Sequence, residues 1–335
     1  MAIKIIGTGK AVPPNRVSNN ELAAKIDTTD EWIRSHTGIC ARHIAADDIS
    51  CSDLAAQAAQ EALAMAEPGL SMEEAALTID LVVVATATPD YFGCPSTACI
   101  VQDKIGAKRA SAFDLSAGCT GFIYALETAA GLLLMNQQRK RALVIGSELL
   151  SKFIDWSDRS SCVLFGDGAG AVILEKCQST EKQGLIRTLL YADGSGAGHV
   201  FFKGGGSKEP FKDGEAIEKR IHVQLNGQAV YNFAVNAIKE TIEQILSDEG
   251  ISIDDVSLII PHQANARIVQ AAAKRLKIPE NKFFLNIDEY ANTSAASIPI
   301  ALAELNRAGK LTKGSLILTV GFGGGLTYGA NLIIW

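Results

Sequence analysis

The sequence predicts an α/β protein with layers of helices on both sides of its sheets. Its longest apolar runs are short and continuous, which is typical of strands that helices cover on both faces. Helix-start signals fall between these runs, so strands and helices alternate along the chain. A chain of 335 residues is also long for one hydrophobic core, which favours two compact units. The predicted buried strands are residues 79–86, 141–147, 170–175, 256–261 and 315–323.

The flanking elements have local signals of their own. The opening stretch MAIKIIGTGKAVPP predicts a first strand, since its apolar core is too short for a signal peptide. Ser-x-x-Glu capping boxes predict helix starts within 18–22 and 71–77. Acidic residues in the first turn and Gly38 at the end indicate a short helix over 28–38. Residues 226–250 have the pattern of a long amphipathic helix.

The stretch 177–214 interrupts this alternation. It is rich in glycine, serine and lysine, so it is expected to include an exposed loop. We therefore place the boundary between two units after residue 178, which gives residues 1–178 and 179–335. Both units end in a Gly-rich pair of strands, FGDGAGAVIL and GFGGGLTYGANLII, and this repetition favours an internal duplication.

Composition narrows the classes of function. A net charge of −6 argues against a general nucleic-acid binder, which usually has a basic face. No apolar run is expected to reach the roughly 18 residues of a membrane span, so no membrane partner is expected. The seven cysteines are odd in number and lack CxxC spacing, which indicates a reduced, cytoplasmic compartment. Because the five histidines show no paired ligand spacing, we expect no metal site.

Cys119, in SAGCTGF, lies between a predicted strand and a predicted helix over 119–138. Unpaired backbone N–H groups and the dipole at a helix start favour a thiolate, so we expect a lowered thiol pKa. Gly118 and Gly121 permit a tight turn and the close approach of a substrate. The alternative is a buried cysteine that only fills space.

Three further motifs carry polar groups where predicted strands end or helices begin. His262 follows the strand 256–261, where active sites of α/β proteins collect, although a structural histidine fits equally well. Asn292 precedes a run of small residues, and a helix cap is its alternative. The segment 321–329, GFGGGLTYG, is a poor phosphate loop that either supplies backbone N–H donors or packs as a strand turn.

Cysteine, histidine and asparagine at such turns permit acyl transfer through a thioester, with donors that stabilise charge on oxygen. A cysteine protease uses the same residue types, and the separation of Cys119 and His262 lies in the papain-like range. The papain signature around the cysteine is missing, however, and there is no disulfide pattern. A cysteine protease is therefore the remote alternative.

Six motifs resemble, in order, those of the β-ketoacyl-acyl carrier protein synthase III family, which are condensing enzymes of the thiolase superfamily. They are DEWIRSHTGI, SAGCTGF, FGDGAGAV, PHQAN, NTSAASIP and GFGGGLTYGA. The resemblance extends from residue 3 to residue 335. It implies a thiolase-like duplicated α/β/α/β/α five-layer fold, and a homodimer.

The resemblance also implies a two-stage reaction. Cys119 would take an acyl group from acyl-CoA, and malonyl-acyl carrier protein would lose CO₂ and attack the acyl-cysteine, which initiates fatty acid synthesis. His262 and Asn292 would donate hydrogen bonds to the malonyl thioester, while the N–H groups of Cys119 and Gly324 would form the oxyanion hole. No cofactor is expected. The alternative is the same chemistry in secondary metabolism, priming a polyketide or quinolone-type product.

Binding residues are implied position by position. Trp32 and Arg159 match a pair that sandwiches the CoA adenine, a role suited to a flat guanidinium. Arg267, Lys274 and Arg275 are the candidates for binding acidic acyl carrier protein. The candidates for binding CoA and substrate are Trp32, His36, Arg159, Phe165, Leu225, Ala264, Asn265 and Phe322.

Three positions depart from the pattern of the family. His36 stands where some relatives have an arginine near the nucleotide phosphates, so we expect a weaker contact there. Asn232 removes a positive charge from the helix that faces the carrier protein. Cys94 stands where many relatives have a phenylalanine that reaches across the dimer to close the acyl pocket. The smaller cysteine predicts room for branched or medium-length acyl chains.

Overall fold

Strands and helices alternate through the chain, as the sequence predicts. The structure, a computed structural model, describes residues 1–179, 181–211 and 221–335. The strands in these residues are β1 (Ala2–Ala11), β2 (Arg16–Ser18), β3 (Ala41–His43), β4 (Leu81–Ala85), β5 (Ser111–Leu115), β6 (Arg141–Leu149), β7 (Asp167–Cys177), β8 (Gly184–Ala192), β9 (Val200–Lys203), β10 (His222–Leu225), β11 (Leu258–Pro261), β12 (Leu316–Gly323) and β13 (Thr327–Ile334). The helices are α1 (Asn19–Ala23), α2 (Asp30–Thr37), α3 (Cys51–Ala66), α4 (Met72–Ala76), α5 (Thr97–Lys104), α6 (Gly121–Met135), α7 (Gly227–Glu249), α8 (Ala266–Leu276), α9 (Ile287–Tyr290) and α10 (Ser297–Arg307).

Two sheets repeat one arrangement. The first has the strand order β5-β4-β6-β7-β1, and the second has the order β11-β12-β13-β8. In the first, β4 is parallel to β5 and β6, and β7 is antiparallel to β6 and β1. In the second, β11 is parallel to β12, and β13 is antiparallel to β12 and β8. A parallel bridge between Ile259 and Phe283 stands where β5 pairs with β4. The two sheets are therefore duplicates.

Five layers result from the way that helices cover these sheets. The outer face of the first sheet packs on α3 and α5, and the outer face of the second packs on α7 and α8. Helices α6 and α10 lie between the sheets and contact both. Within β4, Val82 and Val84 face the outer helices while Leu81 and Val83 face the central ones. The strand is apolar throughout because both of its faces are buried, and the predicted α/β/α/β/α fold is confirmed.

The local helix signals are also confirmed. Ser18 and Ser71 form the predicted capping boxes at the starts of α1 and α4. Helix α2 ends at Gly38, whose φ of 83° is left-handed. Helix α7 ends at Gly250 in the same conformation.

The stretch 177–214 includes an exposed loop, as the sequence predicts, but it also contains two strands. It contains β8, which is an edge strand of the second sheet, and β9, which pairs with β10. The polar composition of the whole stretch concealed the apolar residues of β8. Residues 207–211 are exposed as expected, and 212–214 lie outside the described residues.

One helical stretch is long and apolar enough to cross a membrane, so the expectation that no apolar run would reach 18 residues is wrong. It is Gly118–Met135, which includes α6. In the fold this stretch packs between the two sheets, where Phe122, Leu126 and Leu133 are buried. Its apolar composition is that of a core helix.

Candidate active site

A pocket lies between the two duplicated units, lined by the segments that follow their strands. Its volume is about 650 Å³, including its open mouth. Val200, Val230, Tyr231 and Ile268 add apolar walls that the sequence analysis did not find. The residues predicted from the sequence that line it are Cys119, His262, Asn292, Gly324, Phe165, Leu225, Ala264, Asn265 and Phe322.

Cys119 lies in a 3₁₀ turn, Gly118–Thr120, directly before α6. Two glycines let this turn approach the Gly-rich hairpin between β12 and β13. Gly118 has a φ of 53°, and a Cβ there would lie 2.9 Å from the carbonyl oxygen of Gly324. A Cβ on Gly323 would lie 2.8 Å from both the Cβ and the backbone nitrogen of Cys119. The two loops can meet only because both positions lack side chains.

Burial raises the pKa of the Cys119 thiol to about 11, so the predicted lowering is wrong for the unliganded site. Interactions of the sulfur with the Ser294 side chain and with the backbone N–H groups of Cys119 and Gly324 lower this pKa but do not compensate for burial. The resting residue is therefore a thiol. The same two N–H groups were predicted as the oxyanion hole, and both act on the pKa of the thiol.

His262 is 1% exposed, and this burial lowers the pKa of its imidazole to about 3, so the ring is neutral. Its Nδ1 lies 2.7 Å from the Ser297 hydroxyl. That hydroxyl also accepts the Gln263 N–H at 3.4 Å and has no other acceptor among the described residues, so we assign its proton to Nδ1. The proton of the ring then resides on Nε2, the nitrogen left to face the pocket.

The Asn292 side chain is oriented by a hydrogen bond with the backbone of Ser294, two residues further along the chain. Its Oδ1 accepts the backbone N–H of Ser294 at 2.8 Å, so its amide Nδ2 is available as a donor in the pocket. The backbone of Asn292 also pairs with Leu164 and Gly166, which attaches this segment to the first unit. The helix-cap alternative is partly correct, since the oxygen does satisfy a backbone N–H before α10.

Glu148 lies behind the pocket and was not identified from the sequence. It is fully buried at the end of β6, and burial raises the pKa of its carboxyl to about 7. It accepts hydrogen bonds from Thr88 at 2.7 Å and from Ser294 at 2.9 Å. A charged residue within the apolar run RALVIGSELL was the available signal. Among the described residues, no group of three or more His, Cys, Asp and Glu side chains is arranged to hold a metal ion.

Comparisons with known proteins agree with the motifs. Two family models match, 3-oxoacyl-[acyl-carrier-protein (ACP)] synthase III over residues 113–194 and its C-terminal part over residues 246–335. A β-ketoacyl-[acyl-carrier-protein] synthase III of Clostridium perfringens (strain SM101 / Type A) is 51% identical over 331 residues, 98% of each chain. This chain belongs to the β-ketoacyl-acyl carrier protein synthase III family.

Solved structures related to the synthase III family share the fold. The 3-oxoacyl-[acyl-carrier-protein] synthase III from Aquifex aeolicus VF5 matches with a TM-score of 0.87 and 44% identity, over 100% of both chains. The priming β-ketosynthase from the R1128 polyketide biosynthetic pathway matches with a TM-score of 0.89 and 32% identity, over 99% of this chain and 96% of that one. As a synthase III family member, the protein is an acyl-transferring condensing enzyme of fatty acid biosynthesis.

The residues expected to bind CoA in a synthase III enzyme form one cluster, but Trp32 and Arg159 lie too close together to hold an adenine between them. The Arg159 guanidinium lies over the Trp32 ring at 5.4 Å from its centroid, and the His36 ring stacks on Trp32 at 4.4 Å. An adenine between Trp32 and Arg159 needs about 3.5 Å on each face, so Arg159 must move outward by one to two ångströms to admit it. Asn265 donates to the His36 carbonyl at 3.1 Å and connects this cluster to the pocket mouth.

The other predicted synthase III positions lie outside the pocket. Arg267, Lys274 and Arg275 are exposed on α8, whose first turn lies at the pocket mouth. Cys94 is exposed in the loop before α5 and does not line the pocket of its own chain. Tyr91 and Phe92 of the same loop are 58% and 52% exposed, so Cys94 lies in an apolar surface segment.

Proposed function

We propose that this enzyme joins an acyl-CoA primer to malonyl-acyl carrier protein through an acyl-cysteine intermediate, and so initiates fatty acid synthesis. The observation that carries this proposal is the convergence of Cys119, His262 and Asn292 on one pocket. These side chains come from separate motifs on both units, and their combination suits thioester chemistry.

In the first stage, the Cys119 sulfur attacks the acyl carbon of the CoA thioester. Negative charge develops on the acyl oxygen, and the N–H groups of Cys119 and Gly324 stabilise it there. The CoA thiolate then leaves through the mouth between Trp32 and α8. Loss of one such donor typically costs about 3 kcal/mol of transition-state stabilisation.

In the second stage, malonyl-acyl carrier protein loses CO₂, and its α-carbon attacks the acyl-cysteine to form the 3-ketoacyl product. His262 Nε2–H and the Asn292 amide donate to the malonyl thioester oxygen as it gains enolate character. The lowered pKa of His262 keeps the imidazole neutral, so it can donate from Nε2–H without transferring the proton to the enolate. The departing CO₂ drives the bond formation, so the proposed reaction requires no metal or redox cofactor.

The partners follow from the same proposal. Acyl-CoA binds by the cluster of Trp32 and Arg159, and the basic face of α8, with Arg267 and Lys274, receives acidic acyl carrier protein. The enzyme acts as a cytoplasmic homodimer, and Cys94 of each protomer faces the acyl pocket of its partner. The proposal also keeps the boundary between the two duplicated units after residue 178, so that they comprise residues 1–178 and 179–335.

Intact-mass spectrometry after incubation with acetyl-, isobutyryl- and octanoyl-CoA tests this function. We expect one acyl group per chain in the wild type and none in Cys119→Ala. Cys99→Ser is the matched control, because Cys99 is exposed on α5 away from the pocket, and it should load normally. An adduct that persists in Cys119→Ala would refute the assignment of the nucleophile.

A second candidate keeps the chemistry but places it in secondary metabolism, since the priming ketosynthase of a polyketide pathway has the same fold at 32% identity. The carrier protein distinguishes the two. Condensation with malonyl loaded on the carrier protein of fatty acid synthesis supports the first candidate. Condensation only with the carrier of a specialised pathway supports the second.

A further inference from the structure

Glu148 is a buried carboxylate for which the proposed reaction has no use. Its side chain has no exposed surface, and it lies near the end of β6. It receives hydrogen bonds from the Thr88 hydroxyl at 2.7 Å and from the Ala87 N–H at 3.1 Å. These donors are neutral, so no cation in this set balances the charge of the carboxylate.

One hydrogen-bond partner of Glu148, Ser294, lies beside the turn that holds the nucleophile. The Ser294 hydroxyl donates to Glu148 Oε1 at 2.9 Å. The 3₁₀ turn that begins at Ser294 packs against the turn Gly118–Thr120, and the Ser294 hydroxyl lowers the pKa of the Cys119 thiol, although burial outweighs it. Ser294 is held in the left-handed region with a φ of 48°, a conformation that non-glycine residues adopt at a cost. The backbone N–H of Ser294 is fixed by Asn292 Oδ1 at 2.8 Å. The hydroxyl is therefore set between the thiol and the carboxylate.

We propose that Glu148 takes up and stores the Cys119 proton, with the Ser294 hydroxyl as the relay. This rests on the proposed function, in which Cys119 is the nucleophile. As the sulfur attacks the acyl carbon, its S–H proton passes to Ser294 Oγ, and the Ser294 hydroxyl proton passes to Glu148. The carbon–sulfur bond to CoA breaks, and the CoA thiolate leaves with that electron pair and takes a proton from water.

The second stage returns the proton. When the condensed product leaves, the bond between its carbonyl carbon and the Cys119 sulfur breaks, and the sulfur keeps the electron pair. Glu148 then gives its proton back through Ser294, which restores the thiol and the carboxylate. Over the whole cycle the enzyme neither gains nor loses a proton. The CoA thiolate takes one proton from water, and this is the single proton that a decarboxylating condensation consumes.

The charges around Glu148 explain why a relay is needed. Among the described residues, burial and then the Glu148 charge raise the pKa of two thiols, those of Cys119 and of Cys51 on α3. Asp90 lies beyond Cys51 and bonds Ser52. A Cys119 thiolate beside ionised Glu148 would therefore place two negative charges in one buried region. Moving the proton between them keeps the buried charge constant.

The pKa values of the two groups determine when transfer occurs. Glu148 at about 7 is a weaker base than a thiolate whose thiol has a pKa of about 11, so the proton does not leave Cys119 at rest. Transfer accompanies attack on the thioester. Acyl-enzyme formation in the wild type should therefore increase with pH as Glu148 ionises and level off above about pH 7.

The test measures the rate of acyl-enzyme formation by intact mass across pH 5.5–9.5 in the full-length enzyme. In Glu148→Gln we expect a rate at least tenfold lower at pH 7.5, with no plateau near pH 7 and a continued rise at alkaline pH. Ser294→Gly should show the same change, because glycine accepts the left-handed backbone and removes the hydroxyl together with its Cβ. Asp167→Asn is the matched control, since it neutralises another buried carboxylate, held by Ser151 and Ala45, and should keep the wild-type profile.

The direction in which Glu148→Gln changes the loading rate decides between a proton relay and a purely electrostatic role for Glu148. If Glu148 acted only through its charge, Glu148→Gln would lower the pKa of Cys119 and load faster at neutral pH, which would overturn the proposal. An unchanged profile in both variants would overturn it as well. Neither result affects the proposed function, which fails only if Cys119→Ala still forms the adduct.

Discussion

The hydroxyl of Ser297, at the start of α10, lies 2.7 Å from Nδ1 of His262, just after β11. Both side chains are buried, so water cannot replace this contact. The pair fixes the histidine tautomer and the orientation of the ring together. In the proposed reaction, only the second stage depends on His262 as a donor.

Ser297→Ala should therefore separate the two stages. We expect the rate of malonyl decarboxylation to fall about tenfold to hundredfold, less than when a donor itself is removed. Acyl loading of Cys119 should stay within about twofold of the wild type. Radiolabelled CO₂ release and intact mass measure the two stages on one preparation. Equal losses in both would indicate general disruption instead of a tautomer effect.

The lowered pKa of His262 predicts how stability depends on pH. The unfolded chain binds more protons at this residue than the folded chain does, so its contribution is complete above pH 6.5 and is lost as the pH falls. Between pH 6.5 and pH 5, the wild type should lose about 2 kcal/mol more unfolding free energy than His262→Gln. Urea denaturation at both pH values measures this. Parallel losses in the two proteins would contradict it.

Gly323→Ala tests the contact between the Gly-rich hairpin and the nucleophile turn. The added Cβ would lie 2.8 Å from Cys119 atoms, so the turn must shift away from its backbone donors. We expect destabilisation by about 1–3 kcal/mol and slower acyl loading. Gly131→Ala is the control on exposed helix surface in α6, where no atom lies within 4 Å of the added Cβ. It should stabilise the protein by about 0.5–1 kcal/mol in thermal unfolding.

Cys94→Phe tests the proposal that a small side chain from the partner protomer enlarges the acyl pocket. We expect loading with octanoyl-CoA to fall at least tenfold relative to acetyl-CoA, because a phenyl ring would fill the end of the pocket. Cys94→Ser keeps the small size and should retain the chain-length range. The competition is measured by intact mass with mixed acyl-CoAs. A wild type strict for acetyl-CoA would remove the basis of this prediction.

The motifs identified the residues of the pocket before its geometry was known. Cys119, His262 and Asn292 each stand in a short, distinctive stretch, and all three line one pocket. Their supports were not identifiable, because the contacts join distant parts of the chain. Glu148 and Ser294 are 146 residues apart, and His262 and Ser297 are 35 apart. Glu148 stands out as a charged residue within an apolar run, but the two serines do not stand out by residue type.

The sequence by itself determined the layered fold, since apolar periodicity and helix caps depend on residues that lie only a few positions apart in the chain. It also predicted which motif residues line the pocket. Only the tertiary structure decided the protonation of Cys119. A helix start alone favours the thiolate, but packing between two units removes water from the sulfur and raises its pKa instead. Desolvation depends on every element that surrounds a group, and for this reason no single stretch of sequence predicts it.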